Sequence, residues 1–322
     1  VALLEGLENQ SYSNSFFEVL IVDDSSEDKT VDKIERFIVG SSLDLKLLRL
    51  EESLNDNKSK KAGISYAMKF AEGDIVVLTD ADCVLQKEWL ETIVSFYDEY
   101  KPKMIIAPVS YFPSKTFLNN FQVLDFLAMQ GVSCSSSGLK RPLICNGANV
   151  VYERSLFSEL NVFEKDDVAS GDDMFMLQKT YAKYPDSIRY LKSQASIVST
   201  YSCKSWGELF QQRLRWAGKV RYFDSKESVL MLTYLLIVNI MIIVFALLSP
   251  FDIRYLIYFI ASFSVKLLVD IVFLWPVAKF FRQSHMLSLV LVVQFVHFIY
   301  MAVVGILSNI LPYKWKGRKL KK

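Results

Sequence analysis

Histidine is nearly missing from this chain: of 322 residues only His285 and His297 are histidine, and both fall in the apolar C-terminal third. A Ser-His-Asp hydrolase centre in the first two thirds is therefore excluded, because no imidazole is there to take the serine proton. Cysteine is sparse as well. Cys83, Cys134, Cys145 and Cys203 form no C-x-x-C pair and have no neighbouring histidine, which argues against a zinc site. They read as reduced thiols of a cytosolic domain. Charge of one sign is lacking too: 37 basic and 35 acidic residues leave a net +2, too little to draw the chain to nucleic acid. Internal repeats and low-complexity runs are absent.

What is abundant is apolar sequence, 52% of the chain, distributed unevenly. Residues 1–225 have the mixed composition of a globular domain, and 226–322 are dominated by three apolar runs near 229–249, 255–275 and 286–311. Each run supplies the roughly 20 residues that a helix needs to cross a bilayer. The second contains Lys266 and Asp270, spaced i,i+4, which can pair on one face of a bundle or lie where a helix rests in the interface. The chain ends in "KWKGRKLKK" (314–322), a basic cluster that suits lipid headgroups. A cytosolic front domain followed by three crossings would put this tail outside, against the positive-inside rule, so the topology stays open.

Residues 1–225 alternate strand-like and helix-like segments. Strands are expected at 16–22, 45–50, 74–80, 103–108 and 143–152, and helices at 29–39, 58–72, 87–100, 117–131, 170–184 and 205–223. The serine-rich stretch 132–142 reads as a loop. Continuous apolar strands separated by amphipathic helices indicate an α/β domain with a mostly parallel sheet, whose ligand site lies beyond the carboxyl ends of the strands. Asp23-Asp24 and Asp80-x-Asp82 sit at two such ends. The first pair either caps the helix that follows, with Ser25 or Ser26 beginning it, or faces a ligand. In an extended strand end Asp80 and Asp82 would share a face and could hold a hard divalent ion on a diphosphate, although a lone D-x-D is more often a solvated turn. Gly147, after Asn146, permits either positive φ or close approach of the backbone to a ligand. Asp172 and Asp173 open a helix at its positive end. Gln212, Arg215 and Trp216 fall at i, i+3, i+4, hence on one stripe.

Each of these motifs is weak alone, but their order is not. Asp-Asp, D-x-D about 55 residues on, Asn-Gly, G-D-D and then Q-x-x-R-W before apolar helices resembles the membrane-bound bacterial branch of the family 2 glycosyltransferases, and "NGANVVYERS" and "YKWKGR" add to the likeness. The resemblance implies a GT-A fold, Rossmann-like with flanking helices, over 1–225, followed by a transmembrane region. It implies that Asp23 and Asp24 contact the uracil or ribose of a nucleotide-sugar donor, with a UDP-sugar expected. Lys61 would lie near the nucleotide and diphosphate. Asp80 and Asp82 would bind Mg²⁺ or Mn²⁺, with Asp82 the more direct ligand. Asp173 would be the general base with Asp172 beside it, and Gln212, Arg215, Trp216, Asn146 and Gly147 would serve the diphosphate and acceptor end.

The implied activity is inverting transfer of a hexosyl or N-acetylhexosaminyl group to a lipid-linked or glycan acceptor at the cytosolic face of the cell membrane, within cell-envelope polysaccharide chemistry. A processive polysaccharide synthase is the alternative, but three spans are few for an export channel. A second alternative is a catalytically incomplete membrane-anchored nucleotide-binding protein, which should have lost Asp24, Asp82 or Asp173. A small transporter would leave the α/β front unexplained. The family's opening strand has no counterpart before "VALLEGLENQSYS", so the resemblance implies an N-terminally truncated domain with an unpaired edge beside "FEVLIV".

Overall fold

Where an apolar run is bounded by turn residues it forms a strand in this protein, and where apolar positions recur at three and four residues it forms a helix. The computed structural model describes residues 1–50, 60–161, 171–218, 226–308, 310–311, 313–315 and 318–320. Its first elements are α1 (Ala2–Glu8), β1 (Glu18–Asp23), α2 (Thr30–Gly40), β2 (Asp44–Arg49), α3 (Lys60–Ala67), β3 (Ile75–Leu78), α4 (Trp89–Tyr100) and β4 (Met104–Ile106). There follow β5 (Val109–Tyr111), α5 (Phe117–Gly138), β6 (Val150–Glu153), α6 (Arg154–Glu159), α7 (Asp172–Lys183), β7 (Ile188–Tyr190) and β8 (Val198–Thr200). The last are α8 (Trp206–Ala217), α9 (Lys226–Leu248), α10 (Ile253–Phe280), α11 (Val290–Leu307), β9 (Tyr313–Trp315) and β10 (Arg318–Leu320).

The chain divides into two compact units, one of Val1–Ser110 with Val132–Tyr201, the other of Tyr111–Gly131 with Ser202–Lys322. Residue 225 marks where the apolar spans begin, but the packing units divide elsewhere. The start of α5 and all of α8 belong with the apolar helices.

In the first unit β1 and β2 pair in parallel, Glu18 opposite Asp44 through Asp23 opposite Arg49, with α2 as the crossover. A separate four-stranded sheet has the order β3-β6-β4-β7. It is mixed, not mostly parallel: β6 runs antiparallel to both β3 and β4, while β4 and β7 are parallel. The reason lies in the turn that precedes β6. The chain enters β6 at Val150, opposite Leu78 and Ile106 at the carboxyl ends of β3 and β4, so it must run back against both. That entry point sets the Asn146–Gly147 turn beside the end of β3. Met104, Ile105, Ile106, Val150, Val151 and Tyr152 are buried and form the centre of the sheet.

Beneath the turn, Asn149 is a buried tie. Its amide donates to the carbonyls of Pro108 and Ser196, both at 2.8 Å, and its oxygen accepts the Trp89 indole N–H at 3.1 Å. The stretch 132–142 departs from its loop expectation, since α5 continues to Gly138. Ser136 and Ser137 return their hydroxyls to the carbonyl of Ser133, whose own hydroxyl bonds Ile144 O, so these buried serines carry their polarity into the helix satisfied. β5, β7 and β8, three residues each, are strands that the apolar pattern does not announce.

Among the described residues of the second unit, three helices are long and apolar enough to cross a membrane: Val229–Leu248, Ile253–Phe280 and Ser284–Leu307, the last beginning with a 3-10 turn. Ile242, Phe263 and Phe298 form their common core. Leu230, Leu247, Val265, Leu268, Val272 and Trp275 face outward, a surface suited to lipid. Lys266 and Asp270 of α10 pair at 2.5 Å.

Candidate active site

β1 ends at Asp23, and the two carboxylates there have different tasks. Asp23 is buried, and both its oxygens accept the Ser26 N–H at 3.2–3.3 Å, which closes the turn after the strand. Asp24 is half-buried, and its Oδ1 has no hydrogen-bond partner among the described residues. Capping of α2 falls to neither. The helix starts at Thr30, and Asp28 Oδ1 accepts the Thr30 N–H at 2.9 Å, so Ser25 and Ser26 do not begin it. Of the pair, Asp24 is the one with a carboxylate oxygen that makes no hydrogen bond among the described residues.

β3 ends at Leu78, two residues before Asp80. Asp80–Cys83 is a turn closed by Cys83 N–H to Asp80 O at 3.0 Å, so the extended geometry expected to align Asp80 with Asp82 is not adopted. Asp82 is exposed on this turn, and Asp80 is half-buried. Burial and the charges of Asp80 and Asp82 push the Cys83 thiol up to about 11, which keeps it protonated and out of metal or nucleophilic chemistry.

The cation at this end is Lys60, the first residue of α3. Its ammonium lies 2.6 Å from Asp80 Oδ1 and 3.7 Å from Asp172 Oδ2, and donates to Gly147 O at 3.3 Å. Burial pulls its pKa down, but Asp172, Asp80 and Asp173 outweigh that and hold it well above an ordinary lysine. Lys61, the residue singled out by the motif, points elsewhere: its buried ammonium sits 4.1 Å from the centre of the Phe175 ring. Adjacent helical residues face directions about 100° apart, so the two lysines make different contacts.

Asn146 to Asn149 form a turn in which Ala148 N–H bonds Asn146 Oδ1 and Asn149 N–H bonds Asn146 O, both at 3.0 Å. Gly147 is needed here for close approach and not for positive φ. A Cβ on it would lie 3.2 Å from Lys60 Nζ, 3.3 Å from Asp173 Cβ and 3.4 Å from Asp172 Oδ2. Positive φ is found instead at Gly171, φ 106°, which turns the chain into α7. The first two residues of α7 then differ in access. Asp172 is buried beside Lys60, near Tyr152, whose phenol is pushed up by burial and by Asp172. Asp173 is half-buried, and two backbone amides orient its carboxylate: Gly147 N–H to Oδ2 at 3.0 Å and Met174 N–H to Oδ1 at 2.9 Å.

The first unit thus gathers Lys60, Asp80, Asn146, Gly147, Asp172 and Asp173 at the carboxyl end of β3. Gln212, Arg215 and Trp216 lie on α8 in the second unit. That helix is capped by Ser205, whose Oγ accepts Glu208 N–H, while Glu208 Oε2 accepts the N–H of Lys204 before the cap. Lys60 escaped the sequence reading although it adjoins Lys61, as did the side chains that hold α8. Among the described residues no group of three or more His, Cys, Asp or Glu could hold a metal ion. Two carboxylates on a turn nevertheless suit Mg²⁺ or Mn²⁺ on a nucleotide, because such ions commonly take one or two protein carboxylates and complete their shell with phosphate and water.

Comparison with known proteins gives these features a family. The glycosyl transferase family 2 profile matches residues 1–160. Poly(ribitol-phosphate) beta-N-acetylglucosaminyltransferase TarS of Staphylococcus aureus is 25% identical over 193 residues, covering 56% of this chain and 29% of TarS. Probable glycosyltransferase YdaM of Bacillus subtilis is 23% identical over 227 residues, covering 69% of this chain and 52% of YdaM. The chain therefore spans between about a third and a half of the length of these curated relatives. The crystal structure of S. aureus TarS 1-349 in complex with UDP-GlcNAc aligns with a TM-score of 0.49 at 16% identity, covering 98% of this chain and 90% of that one. The chain carries, over residues 1–160, a glycosyl transferase family 2 domain, and its strands and helices form a mixed α/β architecture.

Proposed function

We propose that this protein transfers a sugar from a nucleotide-diphosphate sugar, with a UDP-N-acetylhexosamine the first donor to test, to a lipid-linked or glycan acceptor at the cytosolic face of the cell membrane. The observation that carries the reading is the placement of Asp173. A half-buried carboxylate, oriented by the amides of Gly147 and Met174, stands next to a lysine that neutralises Asp80 and Asp172. A base so held can accept the proton of an acceptor hydroxyl as it attacks the anomeric carbon, a contribution of about 10²–10⁴-fold. A single displacement of this kind inverts the anomeric configuration.

Asp24, whose buried Oδ1 has no hydrogen-bond partner among the described residues, is assigned to the nucleotide, and Asp23 to holding the turn beside it. Asp80 and Asp82 would hold Mg²⁺ or Mn²⁺, which when bound supplies charge for the diphosphate leaving group. Lys60 offsets part of the negative charge that Asp80 and Asp172 bring together. The roles of Gln212, Arg215 and Trp216 at the diphosphate and acceptor end rest on the motif resemblance alone. The N-acetylglucosaminyl donor is suggested by the name of TarS, and the membrane by the three apolar helices.

The test is nucleoside diphosphate release by the full chain in detergent or nanodiscs, from UDP-GlcNAc, UDP-glucose, UDP-galactose and GDP-mannose, with lipid and glycan acceptors present. Asp173→Asn should abolish transfer while leaving nucleotide affinity within about threefold, since it removes the base and little ground-state binding. An Asp173→Asn protein of wild-type activity would overturn the assignment. No release from any donor would favour the membrane-anchored binding protein.

A further inference from the structure

Between Gln212 and Arg215 stands Arg213, a residue to which the motif gives no part. It is buried, at 5% exposure, and its charge is met on several sides by groups of the second unit. Nη2 lies 2.6 Å from Asp125 Oδ2 of α5, and Nε donates to the Tyr300 hydroxyl of α11 at 3.0 Å. The guanidinium carbon sits 4.2 Å from the centre of the Trp216 ring, one turn further along α8. Asp125 also faces His297 Nε2 of α11 at 3.5 Å. Burial works against both charges. At Asp125 Arg213 outweighs it, with His297 adding, and holds the carboxyl below its usual range; at Arg213 Asp125 outweighs it, with Tyr300 and Tyr111 adding.

α5 also grips the chain where it enters α8. The Gln122 amide bonds both backbone groups of Cys203, donating to its carbonyl at 3.0 Å and accepting its N–H at 2.8 Å, while Phe121 lies 5.2 Å from the Trp206 ring. A buried Arg–Asp pair gains little stability over well-packed apolar residues. What a planar guanidinium with two fixed partners does supply is direction. With Nη2 in ion-pair contact with Asp125, Nε bonded to Tyr300 and the guanidinium carbon over Trp216, Arg213 is tied to α5, α11 and its own helix at once.

We propose that Arg213, clamped by Asp125 and Tyr300, is a positioning residue for the Q-x-x-R-W helix, setting the rotation of α8 and the plane of the Trp216 ring. The inference rests on the glycosyl-transfer reading for its kinetic consequence, but its structural consequence can be measured without it. Lysine at 213 would keep the charge and lose the Nε bond to Tyr300 and the planar group over Trp216, so the ion pair can persist while the orientation is lost.

The experiment uses the full chain in nanodiscs and compares wild type with Arg213→Lys, Arg213→Met, Tyr300→Phe, Asp125→Asn and the Asp125→Asn/Arg213→Met double variant. Steady-state kinetics are read with the donor that the wild type turns over. Arg213→Lys should lower kcat about tenfold or more, as misplacement of a binding group does, with donor KM within about threefold. If the two residues act as one clamp, the double variant should lose no more than about twofold beyond Arg213→Met. Hydrogen exchange at the amides of 206–217 should quicken about tenfold or more in Arg213→Lys, with the α4 amides unchanged.

Wild-type kcat in a folded Arg213→Lys protein would overturn the proposal, as would losses in the double variant that simply multiply. If Arg213→Met does not fold, Arg213→Lys and Tyr300→Phe carry the kinetic test. If the wild type turns over no donor, the glycosyl-transfer reading fails, and the exchange measurement decides the clamp by itself: unchanged α8 protection in Arg213→Lys overturns it.

Discussion

Gly147→Ala adds one methyl group at the place where three site residues converge. The new Cβ would meet Lys60 Nζ at 3.2 Å, Asp173 Cβ at 3.3 Å and Asp172 Oδ2 at 3.4 Å. Carbon contacts prefer roughly 3.5–4.0 Å, so Lys60 Nζ and Asp173 Cβ must give by a few tenths of an ångström, while Asp172 Oδ2 stays at ordinary contact distance. The first two differ in how easily they do so. The lysine ammonium is the end of a flexible chain and can withdraw, at the expense of its 2.6 Å contact with Asp80. Asp173 Cβ is fixed to the first turn of α7 and moves only with the helix. Since a misplacement of about 1 Å costs about 10²-fold in rate, a shift of this size should lower kcat about tenfold, equivalent to about 1.4 kcal/mol. Overpacking of this modest kind should cost about 1 kcal/mol of stability, read as a fall of a few degrees in melting temperature. Donor affinity should stay within about threefold, because the contacts are with Lys60, Asp172 and Asp173 and not with Asp24. Gly40→Ala, where no atom lies within 4 Å, is the control and should leave kcat unchanged. Full activity in Gly147→Ala would show that the reaction does not depend on the Lys60–Asp172–Asp173 arrangement.

Further outcomes follow from single contacts. Asn149→Asp would set a carboxylate oxygen against the carbonyls of Pro108 and Ser196, each 2.8 Å from the present amide nitrogen, and should destabilise the first unit by about 3 kcal/mol in thermal or urea unfolding. Glu18→Gln tests a pH dependence. Burial raises the Glu18 carboxyl, but the amides of Glu72 and Gly73 and the Lys46 ammonium outweigh that and lower it. A depressed carboxyl contributes stability above its unfolded value near 4.3 and loses it as pH falls through the folded value. The wild type should therefore be more stable than Glu18→Gln at pH 7, and the gap should narrow as pH falls below the unfolded value; an unchanged gap at pH 3 would contradict this. Gly171→Ala places a side chain at φ 106° and should cost about 1–2 kcal/mol, with a loss of transfer rate because Asp172 and Asp173 follow directly.

The parts of this protein that the sequence makes legible are those where one physical signal dominates. "EVLIVD" and "DIVVL" are strands because nothing in them competes with burial, and the apolar runs after residue 226 are helices because only a helix satisfies so much backbone in such company. The direction of β6 could not be read, since it is decided by where the Asn146–Asn149 turn lands and not by the composition of "VVYE". The Ser133–Gly138 continuation of α5 was hidden because serine favours loops until its hydroxyls find carbonyls in the preceding turn. Within the site, the acids stand out as types and positions, but the choice between Lys60 and Lys61 is a matter of 100° of helix rotation. Asp125 and Arg213 are 88 positions apart, and neither carries any local mark of the other.

The longest apolar helix has a mechanical consequence. At 28 residues, α10 is about 42 Å long, against a hydrocarbon layer of about 30 Å. Laid across a bilayer, it can keep its whole length within the layer only by leaning about 45° from the normal; otherwise one or both ends emerge. Lys266 and Asp270 sit at or just beyond its midpoint. A rod pivoting about its centre moves its ends and leaves the centre in place, so a thinner or thicker membrane would carry Arg254 and Lys279 through the headgroups while the ion pair stayed at nearly the same depth. The helix can thus follow changes in bilayer thickness without paying again to relocate its two internal charges.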